Sequence, residues 1–300
     1  MMNDREFRSP AEVSRALGIS VTTVKRWVDA GVLPAHKTAG GHRKILLADV
    51  LRIVRKRNFP ALDLSLLNLV GSADESNTSR LSQRLFDALR EGDIAWTRSV
   101  IHGAHAAGVT MDQLGDAVVA PAMERLGHEW ENGRIDVMHE HRSTLLCTAV
   151  LHELKPALES TAARDRPVAA GGSPESDHSL LASLLVQMVL LDGGWEAINL
   201  GPHTPLTSFR LAIRELKPRL IWLSASYLPE TRQFLDEYRM LYDEASAAGV
   251  AVAIGGRAIR GSLQATMPAA FHGNCLADLS TFAQSLHPPL CPPRRGRPPK

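Results

Sequence analysis

Apolar positions follow two different rhythms along the chain, and the change of rhythm divides it. From Ser79 to about Ser160, Leu81, Leu85, Leu89, Ile94, Val100, Ile101, Leu114, Val118, Met123 and Leu126 recur at helical spacing. Breaks at Gly92, Gly108 and Asn132-Gly133 predict four or five helices, long enough for a bundle. From Arg166 onward, short apolar runs alternate with helical stretches. Strands are predicted at Val168–Gly171, Glu196–Leu200, Leu220–Ser224 and Val250–Ile254. Helices are predicted at His178–Leu191, near Ser208–Leu216, and through Leu235 to Ala248. Strand–helix alternation of this kind specifies a doubly wound parallel sheet.

The first sixty residues read as a third element. Ser9-Pro10-Ala11-Glu12 is a capping box with Pro at the first helical position, so a helix starts there and runs to Leu17. Gly18-Ile19-Ser20 turns the chain, Ser20 caps a helix from Val21 to Ala30, and Gly31 closes it. Val24 and Trp27 suit the core, whereas Thr22, Thr23, Lys25 and Arg26 face outward. Two extended pieces with cationic tips (Lys37, Arg43) around Gly40-Gly41 form a wing, and a third helix is predicted from about Asp49 to Asn58. A helix-turn-helix with a wing places its second helix in the major groove and its basic tips against phosphate. The competing reading is a helical protein-interaction module, which needs no such density of Lys and Arg.

Charge sharpens this picture. The formal net charge is +2, but residues 1–60 carry +7 and residues 294–300 add +4, leaving −9 for the remainder. Basic ends around an acidic middle fit a chain whose ends meet a polyanion, although a solvated basic surface would have the same composition. Cys147, Cys275 and Cys291 are far apart, which suggests neither a disulfide framework nor a cysteine metal site. No apolar stretch is long enough to span a bilayer, and the start is not that of a signal peptide. The expected location is a reducing cytoplasm, with no membrane partner.

Candidate chemistry lies at the strand ends. His178 follows the first predicted strand, Ser224-Ala225-Ser226 ends the third, and Gly255-Gly256 ends the fourth. In an open α/β sheet the carboxyl ends of the strands are where ligands bind. A dinucleotide site is the competitor, but no G-x-G-x-x-G follows the first strand. The spacing, 42 residues from Leu181 to Ser224 and 28 from Ser226 to Gly255, resembles the cobalamin-binding signature of methionine synthase, the cobalamin-dependent mutases and related regulators. That resemblance implies His178 as the lower axial ligand of cobalt. It also implies that Ser224, Ser226, Gly255 and Gly256 line the slot for the displaced nucleotide tail. Three positions depart from the pattern: Ser176 for Asp, Leu181 for Gly and Ser226 for Leu. Glu175 or Asp177 is then the candidate to orient the imidazole. Leu200-Gly201-Pro202-His203-Thr204-Pro205 ends another strand, and His203 is either an exposed loop residue or a partner of the corrin amides.

In the bundle, Trp130 is followed after nine residues by Glu140-His141, which resembles the signature of the CarH and LitR light-responsive regulators. By that resemblance the bundle caps the upper face of the corrin, and Trp130, Glu140 and His141 contact the adenosyl group. Taken alone, a bundle Trp is usually core and a Glu-His pair usually surface. Residues 8–58 resemble a MerR-type winged helix. The tail after His287 is Pro-rich and expected to be disordered, with Arg295 and Arg297 forming either an AT-hook or a plain basic tail.

The expected organisation is therefore a MerR-type DNA-binding domain (1–60), a linker (61–78), a helical bundle (79–162), a Rossmann-like cobalamin-binding domain (163–287) and a basic tail (288–300). The resemblance implies a cytoplasmic, non-enzymatic repressor that uses adenosylcobalamin, binds double-stranded operator DNA and assembles with itself, as a tetramer in the dark. Two alternatives stay open: a corrinoid methyl carrier, and a regulator of the same fold that senses another tetrapyrrole or no ligand.

Overall fold

A computed structural model of the chain describes residues 7–37, 41–56, 59, 63–67, 78–159, 166–228 and 231–287. They fall into two compact units: residues 1–162 with 180–192, and residues 163–179 with 193–300. The expected boundary near residue 163 is thus crossed by one helix.

The first unit begins with β1 (Phe7–Arg8), α1 (Pro10–Leu17) and α2 (Val21–Asp29). The capping box forms as expected: Ser9 Oγ accepts from the Glu12 N–H at 3.2 Å and Glu12 Oε2 from the Ser9 N–H at 2.7 Å. Those bonds hold the Glu12 carboxyl below its ordinary range. Gly18, at φ +63°, closes α1 in the left-handed conformation that glycine adopts without cost. β2 (His36–Lys37) and β3 (Arg43–Leu46) complete an antiparallel sheet of order β1-β3-β2, and α3 (Leu47–Lys56) leaves β3 directly. The third helix thus starts two residues earlier than predicted.

Within the segment predicted as linker, Leu64–Leu67 forms a 3-10 turn packed on α1. It is held by the Asp63 N–H on the Ala16 carbonyl at 2.8 Å and by buried Arg8, which donates to the Leu67 carbonyl at 2.7 Å.

The bundle consists of α4 (Thr78–Glu91), α5 (Ile94–Ala106), α6 (Met111–Leu114), a π-helical turn (Gly115–Val119), α7 (Ala120–Glu131) and α8 (Val137–Leu158). Pro121 has no N–H to donate to the preceding turn, which fits the wider turn just before it. Leu81, Leu85, Leu89, Val100, Leu114 and Leu126 are all buried, as their spacing requires. α9 (Leu180–Asp192) packs on α6 and α8, and the Met111 N–H donates to Asp192 Oδ2 at 3.1 Å. α9 is apolar all round, with eight of its thirteen residues buried, which explains why it groups with the bundle.

The second unit is a parallel sheet of order β5-β4-β6-β7-β8, formed by β4 (Val168–Pro174), β5 (Glu196–Thr204), β6 (Leu220–Ser224), β7 (Ala251–Gly255) and β8 (Phe271–Gly273). Its helices are α10 (Leu206–Leu216), α11 (Thr231–Ala247), α12 (Gly261–Thr266) and α13 (Leu276–Leu286). Ala170, Ile221, Leu223, Val252 and Ile254 share one core with Phe209 and Ile213 of α10 and Tyr238 and Leu241 of α11. The order reverses between β4 and β6, so the switch point lies between their carboxyl ends. β8, the short α12 and α13 were not predicted. Of the described helices, none is long and apolar enough to cross a membrane.

Candidate functional site

The switch point carries the three strand-end motifs. The loop after β4 holds Glu175, Ser176, Asp177 and His178, and α9 starts only at Leu180. His178 therefore lies in the loop and not in the first helical turn where the sequence put it. The Asp177 side chain ends the loop, because its Oδ1 accepts from the Ser179 N–H at 2.9 Å.

Asp177 is fully buried and ties three strand ends together. Its Oδ2 accepts from the backbone N–H of Ser226 at 2.5 Å and of Tyr227 at 3.3 Å, both beyond the end of β6. Its own carbonyl accepts from the His203 N–H at 2.8 Å, at the end of β5. The hydrogen bonds of this carboxylate run to the backbone amides of Ser179, Ser226 and Tyr227 and not to the imidazole. Asp177 thus fixes the loop rather than orienting His178 through a hydrogen bond, and Glu175 is exposed.

His178 is exposed, and its ring stacks on that of His203, with centroids 4.9 Å apart and planes at 20°. His203 Nδ1 accepts from the Ser176 N–H at 2.8 Å, so the proton of neutral His203 sits on Nε2. To bind a metal through Nε2 as a neutral imidazole, His203 would have to carry its proton on Nδ1 and lose this anchor. Among the described residues, no partner competes for the nitrogens of His178. Ser176 (φ +69°) and His203 (φ +53°) both adopt left-handed backbone, which costs a side-chain-bearing residue on the order of 1–2 kcal/mol. Strain of this kind collects where function over-determines a conformation.

Ser224 is buried at the end of β6 and lies in register with Gly255. Ser226 is half-buried, and its carbonyl accepts from Arg257 Nε at 3.3 Å. Gly256 (φ +102°) is required, since a Cβ there would collide with the Ala225 backbone. Nothing lies within 4 Å of where a Cβ on Gly201 would stand, so the ground beside His203 is open. An uncommitted imidazole above glycine-lined, open ground fits a large planar ligand with a metal at its centre. No cluster of three metal-ligating side chains exists among the described residues, so such a metal would arrive with its own ring.

On the bundle, Trp130 ends α7, and Glu140 and His141 stand in the first turns of α8. Trp130 is 46 % exposed, against the expectation for a bundle tryptophan. Val137, His141 and Leu145, at i, i+4 and i+8, form one exposed stripe with Met138. Glu140 accepts from Thr144 Oγ1 at 3.0 Å and lies 3.7 Å from His141 Nε2. Glu131, directly after the tryptophan, pairs with His128 at 3.2 Å.

At the amino end, Thr22, Lys25 and Arg26 are exposed on α2. Thr23 is half-buried and spends its hydroxyl on Ser20 Oγ at 2.9 Å, which makes it part of the cap. Trp27 is half-buried, edge-on to Phe59. Arg43 was expected as a free wing tip, but it donates to Asp29 Oδ1 at 2.6 Å and so braces the wing to α2. Lys37 contributes its backbone to β2, while its side chain, Arg295 and Arg297 lie outside the described residues.

Residues 9–58 match a family model described as a helix-turn-helix domain, and residues 81–155 one described as a B12 binding domain. The trimethylamine corrinoid protein 1 of Methanosarcina mazei is 24 % identical over 152 residues, 50 % of this chain and 70 % of its own. The dimethylamine corrinoid protein 1 of Methanosarcina acetivorans is 27 % identical over 142 residues, 46 % of this chain and 65 % of its own. The fold is similar to that of the Methanosarcina barkeri monomethylamine corrinoid protein, with a TM-score of 0.56 at 20 % identity, over 69 % of this chain and 98 % of the other. The chain thus joins a helix-turn-helix domain to a helical region of the B12-binding kind and a parallel sheet.

Proposed function

We propose that this chain is a cobalamin-dependent transcriptional regulator of the MerR type, related to the CarH and LitR photoreceptors, and not an enzyme. The observation that carries this reading is the union, in one chain, of a helix-turn-helix domain and a B12-binding helical domain, followed by a sheet with an exposed imidazole at its switch point.

In this reading His178, stacked on His203 and set by the loop that Asp177 clamps, would hold the cobalt of the corrin. Trp130, Glu140 and His141 contact the adenosyl group. When bound, adenosylcobalamin supplies a cobalt–carbon bond that light breaks. Thr22, Lys25 and Arg26 meet operator DNA, and self-association in the dark joins several weak heads into a strong one. The compartment is the cytoplasm.

The corrinoid methyl-carrier reading draws on the named relatives, whose match covers about half of this chain. The exposed basic face of α2 argues against it, since methyl transfer has no use for a DNA-reading helix. The deciding experiment is an absorption spectrum of the full chain mixed with adenosylcobalamin in the dark and then desalted. Retention of about one corrin per chain that is lost in His178→Ala supports the reading. Equal retention by both removes His178 as the ligand.

A further inference from the structure

On the sheet face that carries Ser224, Trp222 stands between small residues of the two neighbouring strands. Ile221, Leu223 and Ile254 point into the core shared with α10 and α11. Strand alternation therefore puts Trp222, Ser224, Ala253 and Gly255 on the opposite face. Trp222 stands in register with Gly171 on one side and Ala253 on the other. A Cβ added to Gly171 would collide with the Trp222 indole, so the ring lies directly on the β4 backbone. Trp222 is 2 % exposed. One pleat below Ser224, an indole fills ground that Ala169, Gly171 and Ala253 would otherwise leave shallow.

The ligand's chemistry gives this filling a consequence. Cobalamin carries its own base on a nucleotide tail, and that base must leave cobalt when an imidazole takes the lower position. The displaced tail needs room, and the small-residue face beside Ser224 and Gly255 is the ground directly under the rim. We infer that Trp222 is a specificity-determining residue that closes this face to the nucleotide tail. The site then holds a corrinoid through its ring, with the tail outside the sheet, and accepts corrinoids without a nucleotide. This rests on the corrinoid reading above.

The test uses the full chain with hydroxocobalamin and with aquahydroxocobinamide, which has the same ring and no nucleotide. The ratio of the two dissociation constants is measured for the parent, Trp222→Ala and Trp222→Leu. Opening the face should shift that ratio toward cobalamin by about tenfold, the cost of a modest steric conflict. In the parent, the phosphorus resonance of bound cobalamin should stay narrow, as for a mobile tail. An unchanged ratio in both variants, or a broad, immobilised phosphorus line in the parent, overturns the role of Trp222 and leaves the corrinoid reading standing. Failure of both corrinoids to bind the parent overturns the corrinoid reading and this inference with it.

Discussion

His178 and His203 stack 4.9 Å apart at the switch point, and only His203 has a nitrogen claimed by the backbone, through the Ser176 N–H. The pair is therefore asymmetric: one ring is anchored and the other is presented. His178→Ala should abolish corrinoid retention. His203→Ala removes the platform and the Ser176 anchor but no metal bond, so it should weaken retention by about tenfold, in line with other partners of a ligand. Corrin per chain after desalting reads both.

Asp177 is the second prediction. Its replacement by Ala removes the acceptor of the part-buried amides of Ser179, Ser226 and Tyr227, a loss of about 1 kcal/mol or more. Asp177→Asn must turn an NH2 toward one set of donors, so it should fall short of the parent as well. Urea unfolding together with corrin retention measures the effect. A variant as stable and as well loaded as the parent would remove Asp177 from the account.

The Arg43–Asp29 pair predicts a gain rather than a loss. Asp29→Asn should free Arg43 for phosphate and remove one negative charge beside the DNA-reading helix. Affinity for duplex DNA should rise and the salt dependence steepen by about one counterion. Lys25→Ala and Arg26→Ala should do the opposite. Titrations at several salt concentrations distinguish these outcomes.

Stability should depend on pH through the bundle. His102 is buried with one nitrogen on the Val150 carbonyl at 3.2 Å and no partner for Nδ1. Burial lowers its pKa below the ordinary 6.5, although the Val150 bond and Glu153 work the other way. The unfolded chain therefore takes up a proton more readily than the folded one. The contribution of His102 to stability is complete above 6.5 and is lost as pH falls from there toward the lowered folded value. His152, at the surface, shifts in the same direction through partial desolvation and the charge of Lys155. His102→Phe should flatten the fall in urea midpoint below that pH. An unchanged slope would assign it to other groups.

If the chain is the photoreceptor proposed above, Glu131 bears on its response to light. Illumination of the adenosylcobalamin form should yield no stable bis-histidine absorption through the position after Trp130, because Glu131 stands there, paired with His128. A stable bis-histidine spectrum would mean that another histidine has taken the role.

Much of this architecture was legible in the sequence, and the exceptions have physical reasons. The Ser9–Glu12 capping box and Gly18 fixed α1 because cap chemistry is local. Four of the sheet strands were visible as apolar runs, whereas β8, with three residues, is too short to show a period. The start of α9 was misplaced because Asp177 ends the loop with a side-chain bond, two residues beyond which the helix begins. The clamp on Ser226, 49 positions away, and the Arg43–Asp29 brace are tertiary, so no local pattern announces them. Trp130 was placed by its spacing to Glu140-His141, and its exposure agrees with a role outside the core.

The central claim is that a corrinoid on His178 sets the affinity for DNA, and one titration tests it most directly. A fluorescent duplex from the chain's own upstream region is titrated with protein loaded with adenosylcobalamin in the dark, then after illumination, with His178→Ala beside it. The account predicts tight, salt-sensitive binding by the dark loaded parent, weakened by light and weak throughout in His178→Ala. Equal affinity in all these states would contradict it.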